Sequence, residues 1–121
     1  MNVEAKLLYR GDAYTICEIL RSGKGMIEGF VRQLSREQRA GILALIRRIA
    51  DHGPPSNTAR FRYEGDRIYA IKDGQVRIYC FFDKGALILL TNGAVKKTRK
   101  ADPKDLEIAV KLRKAYMEAR R

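Results

Sequence analysis

Apolar and polar residues alternate from Val76 to Phe82. Val76, Ile78, Cys80 and Phe82 take one side, and Arg77, Tyr79 and Phe81 the other, because successive strand side chains point to opposite faces. Asp83-Lys84-Gly85 reads as a hairpin turn, since glycine accepts the positive φ such turns use. The return strand, Ala86 to Thr91, is apolar on both sides, as expected of a central strand covered twice. Asn92-Gly93 reads as its end. Upstream, Thr58 to Tyr63 and Arg67 to Lys72 read as two further strands, turned at Glu64-Gly65-Asp66, with Asp73-Gly74 leading into Val76. Ala13 to Leu20 is another strand candidate, broken by Ser22-Gly23-Lys24-Gly25. Lys6 to Tyr9 is open to two readings, a short strand or an ordered lead-in.

Between Gly25 and Thr58 the period changes to that of a helix. Met26, Ile27, Phe30, Val31 and Leu34 form one apolar stripe. Ser35-Arg36-Glu37-Gln38 fits a capping box that starts a second helix. Ile42, Leu45, Ile46 and Ile49 face inward there, and Arg36, Arg39, Arg47 and Arg48 mostly outward. His52-Gly53-Pro54-Pro55 ends it, because glycine closes the last turn and proline forbids continuation. His52, the single histidine, reads as a helix-terminal cation rather than an acid–base group. The short junction implies an antiparallel helix pair on one face of a sheet. A last helix opens at Asp102-Pro103, with aspartate as N-cap and proline at the first helical position. Ile108, Leu112, Ala115 and Ala119 trace its stripe. The expectation is one α+β domain over residues 1–121: an antiparallel sheet of four to five strands, an N-terminal helical hairpin on one face and a C-terminal helix.

Charge adds to this picture. Twenty-five Lys and Arg against 14 Asp and Glu give +11, large for one domain, and favour a polyanionic partner through attraction and counterion release. Ten basic and four acidic residues lie from Lys96 onward, so over half the excess sits in the last 26 residues. No run of about 18 apolar residues could span a membrane. Met1 to Asp12 lacks the apolar core of a secretion signal, so the cytoplasm is the expected compartment. Cys17 and Cys80 lie in strand patterns without metal spacing and read as small buried residues.

Enzyme motifs are mostly missing. There is no P-loop, no GxGxxG after a strand and no HExxH, and no His, Cys and carboxylate cluster at metal spacing. No metal or cofactor is expected. RNA can still be cleaved by attack of its own 2′-OH on the adjacent phosphorus. That reaction needs in-line positioning, removal of a proton, stabilisation of the phosphoryl oxygens and protonation of the leaving oxygen. Arg77 suits the oxygens, because guanidinium is planar, bidentate and always charged. Lys96 and Lys97 could share that work or relay the proton. A lysine crowded by such neighbours should have its pKa pushed down. Arg60 and Arg62 share one strand face, and Arg99 and Lys100 extend the basic run, so all four are candidate RNA contacts. Tyr79 and Tyr116 read either as buried rings or as a stacking surface and a phenolic proton.

Four segments together resemble the RelE/ParE superfamily of toxin–antitoxin toxins, most closely the phage-derived HigB-like group. They are FVRQLSREQRAGILALIRRIADHGPP, RIYAIKDGQVRIYCFF, LILLTNGAVKKTRKADPKDLEIA and AVKLRKAYMEA, covering about Ser22 to Met117. The resemblance implies a helix pair on a sheet whose other face is basic and concave. It implies metal-independent cleavage of mRNA on the ribosome, and neutralisation by a small antitoxin, often a helix-turn-helix protein. By position, Arg77 matches the family's strand arginine, and Lys96 with Lys97 its basic pair after the last strand. RelE itself carries a catalytic tyrosine shortly after that pair. Here Thr98 to Pro103 contains none, and Tyr116 could substitute only if the last helix folds back over the sheet. The alternatives are a ParE-like gyrase inhibitor of the same fold, which has no need of a phosphate-gripping pocket, and an inactive RNA-binding or regulatory domain.

Overall fold

The computed structural model describes residues 2–97 and 102–120. Its strands are β1 (Val3–Arg10), β2 (Thr15–Arg21), β3 (Lys24–Gly25), β4 (Phe61–Gly65), β5 (Ile68–Asp73), β6 (Val76–Asp83) and β7 (Leu87–Val95). Its helices are α1 (Met26–Arg32), α2 (Arg36–His52) and α3 (Pro103–Ala119). The strands form one seven-stranded sheet in the order β1-β2-β7-β6-β5-β4, with the two-residue β3 paired to β2. β2 and β7 run parallel, and the other pairs are antiparallel. The sheet is therefore larger than the expected four to five strands and not purely antiparallel.

The helix layout also differs. α1 lies over β2 and β7 while α2 lies over β5, and each meets the sheet more than the other helix. Ile16, Ile71, Ile78, Ile88 and Leu90 of the sheet meet Ile27, Ile42, Leu45 and Ile49 there. α3 packs on the opposite face, where Ala109 and Leu112 bury against Cys17, Ile19, Tyr79, Phe81 and Leu89. That face is consequently not an open basic concavity. α3 covers its centre, and an open basic cleft remains towards the β5–β6 turn.

Local chemistry explains the helix ends. The Ser35 hydroxyl accepts from the Gln38 backbone N–H at 3.1 Å while the Gln38 side chain accepts from the Ser35 N–H at 3.0 Å, which completes the expected capping box. Arg39 donates back to the carbonyls of Val31, Arg32 and Leu34, binding the end of α1 to the start of α2. α1 has no side-chain cap of its own, since its N-cap is Gly25. The buried Glu18 carboxylate takes that role, accepting from the backbone N–H groups of Ile27 at 3.2 Å and Glu28 at 3.3 Å. A Cβ on Gly25 would collide with this carboxylate, so the glycine is fixed by close approach rather than by turn geometry. The Asp102 side chain accepts from the Lys104 N–H at 2.9 Å, as an N-cap should.

β7 does not stop at Asn92-Gly93 but continues to Val95. A Cβ on Gly93 would enter the Phe30 ring, so this glycine makes room for α1 instead of making a turn. Cys17 and Cys80 are buried free thiols, and burial pushes both above the ordinary thiol range. Among the described residues, no helix is long and apolar enough to cross a membrane.

Candidate nucleic-acid interface

Strand register assembles the basic residues. Lys72 pairs directly with Arg77 across β5 and β6, and the Lys72 N–H donates to the Arg60 carbonyl at 2.8 Å. Lys72 and Arg77 therefore stand side by side on the face opposite α1 and α2, and Arg60 lies at the sheet edge, bordering both the cleft and the α2 side. Arg62 is one step along β4, paired with Ala70. Together with Asn57, Thr58, Ala59 and Gly74 they line a cleft of about 540 Å³.

Two of these cations are deeply set. Lys72 is 8 % and Arg77 4 % exposed. The Lys72 ammonium donates to the Thr58 carbonyl at 3.4 Å and the Arg77 guanidinium to the Gln75 carbonyl at 3.5 Å. Like charges placed directly opposite on paired strands repel, and withdrawal from water strengthens the repulsion. The outer cations are held loosely, Arg60 by Asp73 at 3.8 Å and Arg62 by Glu64 at 3.6 Å. Both guanidinium groups are about half exposed and neither ion pair is close, so both can turn towards a ligand. The Asn57 side chain accepts from the Ala59 N–H at 2.9 Å and shapes the loop that forms the cleft wall.

Lys96 joins the same end of the sheet. Its N–H donates to the Gln75 carbonyl at 2.7 Å, the same oxygen that Arg77 approaches. Its ammonium points to the start of α3, 2.6 Å from Asp105 and 3.2 Å from Asp102. The Asp105 hydrogen bond, followed by that of Asp102, holds Lys96 above the ordinary lysine range despite opposing desolvation. Lys96 is therefore not pushed down by crowding cations, as expected of it, because two carboxylates of the following helix reach it.

A family model described as phage derived protein Gp49-like (DUF891) matches residues 29–114. The chain belongs to this family. The Gp49-like family is a RelE-like toxin family of toxin–antitoxin systems. No curated protein matches the chain. The matched span contains every cleft residue together with Lys96 and Lys97, and it stops before Tyr116.

In this Gp49-like chain the expected site residues separate into groups. Arg60, Arg62 and Arg77 converge in the cleft. Lys96 lies beside it, and Lys97 is the exposed residue that follows. Arg99 and Lys100 lie outside the described residues. Tyr79 offers no stacking surface, because α3 buries its ring completely. Burial pushes its phenol up to about 12, and its hydroxyl has no hydrogen-bond partner among the described residues. Tyr116 is placed at the wrong end. α3 does fold back over the sheet, yet the Tyr116 hydroxyl donates to Asp83 at 3.0 Å, six residues along β6 from Arg77. At the rise of a strand that is about 20 Å. Burial and the Asp83 hydrogen bond push Tyr116 up to about 12, the wrong direction for a base near neutrality.

Sequence reasoning missed Lys72, which lies deep in the cleft beside Arg77. The signal was present in IKDGQVRI. With Gly74 and Gln75 as the central residues of the turn, Asp73 faces Val76 and Lys72 faces Arg77. Reading Asp73-Gly74 as the turn shifts the register and hides the pair.

Proposed function

We propose that this Gp49-like chain is a ribosome-dependent, metal-independent mRNA endonuclease that inhibits translation and is neutralised by a cognate antitoxin, a small helix-turn-helix protein. The carrying observation is the directly paired Lys72 and Arg77 in a cleft whose rim is Arg60 and Arg62. Four cations within one small concavity suit a phosphodiester with its neighbouring phosphates. Arg77 and Lys72 stabilise the charge that grows on the phosphoryl oxygens during attack by the 2′-OH, whose proton passes to water as the 2′-O–P bond forms and the 5′-oxygen leaves. Arg60 and Arg62 hold the flanking backbone and set the in-line angle. Lys96, kept protonated by Asp105 and Asp102, donates the proton to the leaving oxygen, and Lys97 adds charge at the exposed lip. Tyr116 has no part in this scheme.

Induced expression followed by primer extension on cellular mRNA tests the proposal. Translation should stop quickly, with new 5′ ends inside codons of translated messages only. Filamentation with a DNA damage response and intact mRNA would replace this reading with a gyrase inhibitor. Absence of any growth defect would replace it with an inactive binding domain.

A further inference from the structure

A second surface lies across the edge strand β4 from the cleft, with its rings on the sheet face that carries α1 and α2, and has no role in the scheme above. It lies where the β4–β5 hairpin stops short of the end of β6: β5 reaches only Ile68, near Cys80, whereas β6 runs on to Asp83. Tyr63, Tyr69, Phe82, Arg67 and Arg113 line a depression of about 280 Å³ there.

Its aromatic rings are ordered against one another. Tyr63 packs on Tyr69 with centroids 5.0 Å apart, and Tyr69 meets Phe82 edge-on at 5.2 Å. Tyr63 is nevertheless 54 % exposed, because β4 is the edge strand. Its hydroxyl accepts from the Arg67 N–H at 3.1 Å, which fixes the ring. That bond comes from an unusual turn. Asp66 and Arg67 have φ of 51° and 66°, a two-residue turn whose second position ordinarily belongs to glycine. A non-glycine residue held in left-handed backbone carries strain of the kind found at binding sites. Here the strained position carries a guanidinium to the rim of an aromatic platform. Arg113 supplies a second one from α3. It lies 5.8 Å from the Phe81 ring centroid, and its buried Nε has no hydrogen-bond partner among the described residues.

We infer that this patch is a base-stacking subsite for single-stranded RNA whose phosphate lies in the cleft, an inference that rests on the cleft's reading as an RNA site. Exposed aromatic faces between arginines are how proteins hold unpaired bases without reading sequence. The edge strand joins the two places. Arg60 and Arg62 lie in the cleft and Tyr63 is the next residue, facing the patch, so an RNA strand crossing β4 meets both. The positive balance of the chain and the two guanidinium groups at the rim favour this ligand over an apolar or basic partner.

Fluorescence anisotropy with a fluorescein-labelled ten-nucleotide single-stranded RNA, measured over a salt series, tests the inference. Tyr63→Ala should weaken binding about tenfold. It should leave the slope of log affinity against log salt unchanged, because no phosphate contact is lost. Tyr63→Phe, which keeps the ring, should bind within about twofold of wild type. Arg77→Gln should instead lower the slope by about 0.7, the value for one phosphate contact on a single strand. Unchanged affinity for Tyr63→Ala, with Arg77→Gln weakened, overturns the stacking subsite and leaves the cleft standing. Tyr63→Ala that loosens an acidic protein partner but keeps its RNA affinity overturns the subsite equally. Wild-type affinity in both variants, or no binding by the wild-type chain at low salt, overturns the subsite and the cleft together. Circular dichroism of each variant separates these outcomes from misfolding.

Discussion

Replacing Asp105 by asparagine tests whether the start of α3 controls Lys96. The side chains are nearly isosteric, so the perturbation is chiefly one of charge. Lys96 lies 2.6 Å from Asp105 and 3.2 Å from Asp102, and the Lys96 and Asp105 side chains are each 19 % exposed. A hydrogen bond to a charged group contributes about 1.5–3 kcal/mol when buried, and an exposed ion pair about 0–1 kcal/mol. This pair lies between those limits, and Asp102 retains part of the interaction, so Asp105→Asn should lose about 1 kcal/mol. For a chain of this size that is about 3–5 °C in melting temperature. A double-mutant cycle with Lys96→Met, by urea denaturation at neutral pH, should return a coupling of about 1 kcal/mol. The pH dependence has a definite sign. Lys96 is raised in the folded state, so its contribution is complete below the ordinary lysine pKa and is lost as pH rises through the folded value. If Lys96 is the proton donor, Asp105→Asn should also move the alkaline limb of cleavage to lower pH. A coupling within about 0.3 kcal/mol of zero, the limit of additivity for independent sites, together with an unmoved limb, would refute the claim that these carboxylates hold Lys96.

Three further outcomes follow from the packing. Glu18→Ala leaves two backbone N–H groups at the start of α1 without their acceptor, and should cost about 2 kcal/mol in urea denaturation, with Glu18→Gln less damaging. Gly93→Ala forces a methyl group into the Phe30 ring and should cost about 1–3 kcal/mol by thermal denaturation. Tyr116→Phe removes the hydrogen bond to Asp83 and should cost about 1 kcal/mol while leaving mRNA cleavage unchanged.

Local patterns carried most of the fold. The capping box at Ser35, the stop at Gly53-Pro54 and the start at Asp102-Pro103 are decided within a few residues, so the chain states them openly. The doubly covered strand was also readable, because Ile88, Leu89 and Leu90 are apolar on both faces. What remained hidden depends on distant partners. β1 carries Leu7 and Leu8 at 50 % and 42 % exposure, so its pattern does not show a buried side. The stripe on α3 shows that it docks but not on which face, and that choice buries Tyr79 and carries Tyr116 to Asp83. Arg77 was legible as a strand cation facing away from α1 and α2. Lys72 was not, since one step of turn register decides its neighbour. The charge state of Lys96 was not legible either, because its two carboxylates belong to the helix that follows.

The cleft is most directly tested by the single-turnover rate at which purified protein cuts ribosome-bound mRNA, compared between wild type and Arg77→Ala. If Arg77 stabilises the phosphoryl oxygens, the rate should fall by about 10²–10³, with the circular dichroism spectrum and melting transition retained. A folded Arg77→Ala protein that cuts within about threefold of wild type, well short of the loss of one such donor, would contradict the account.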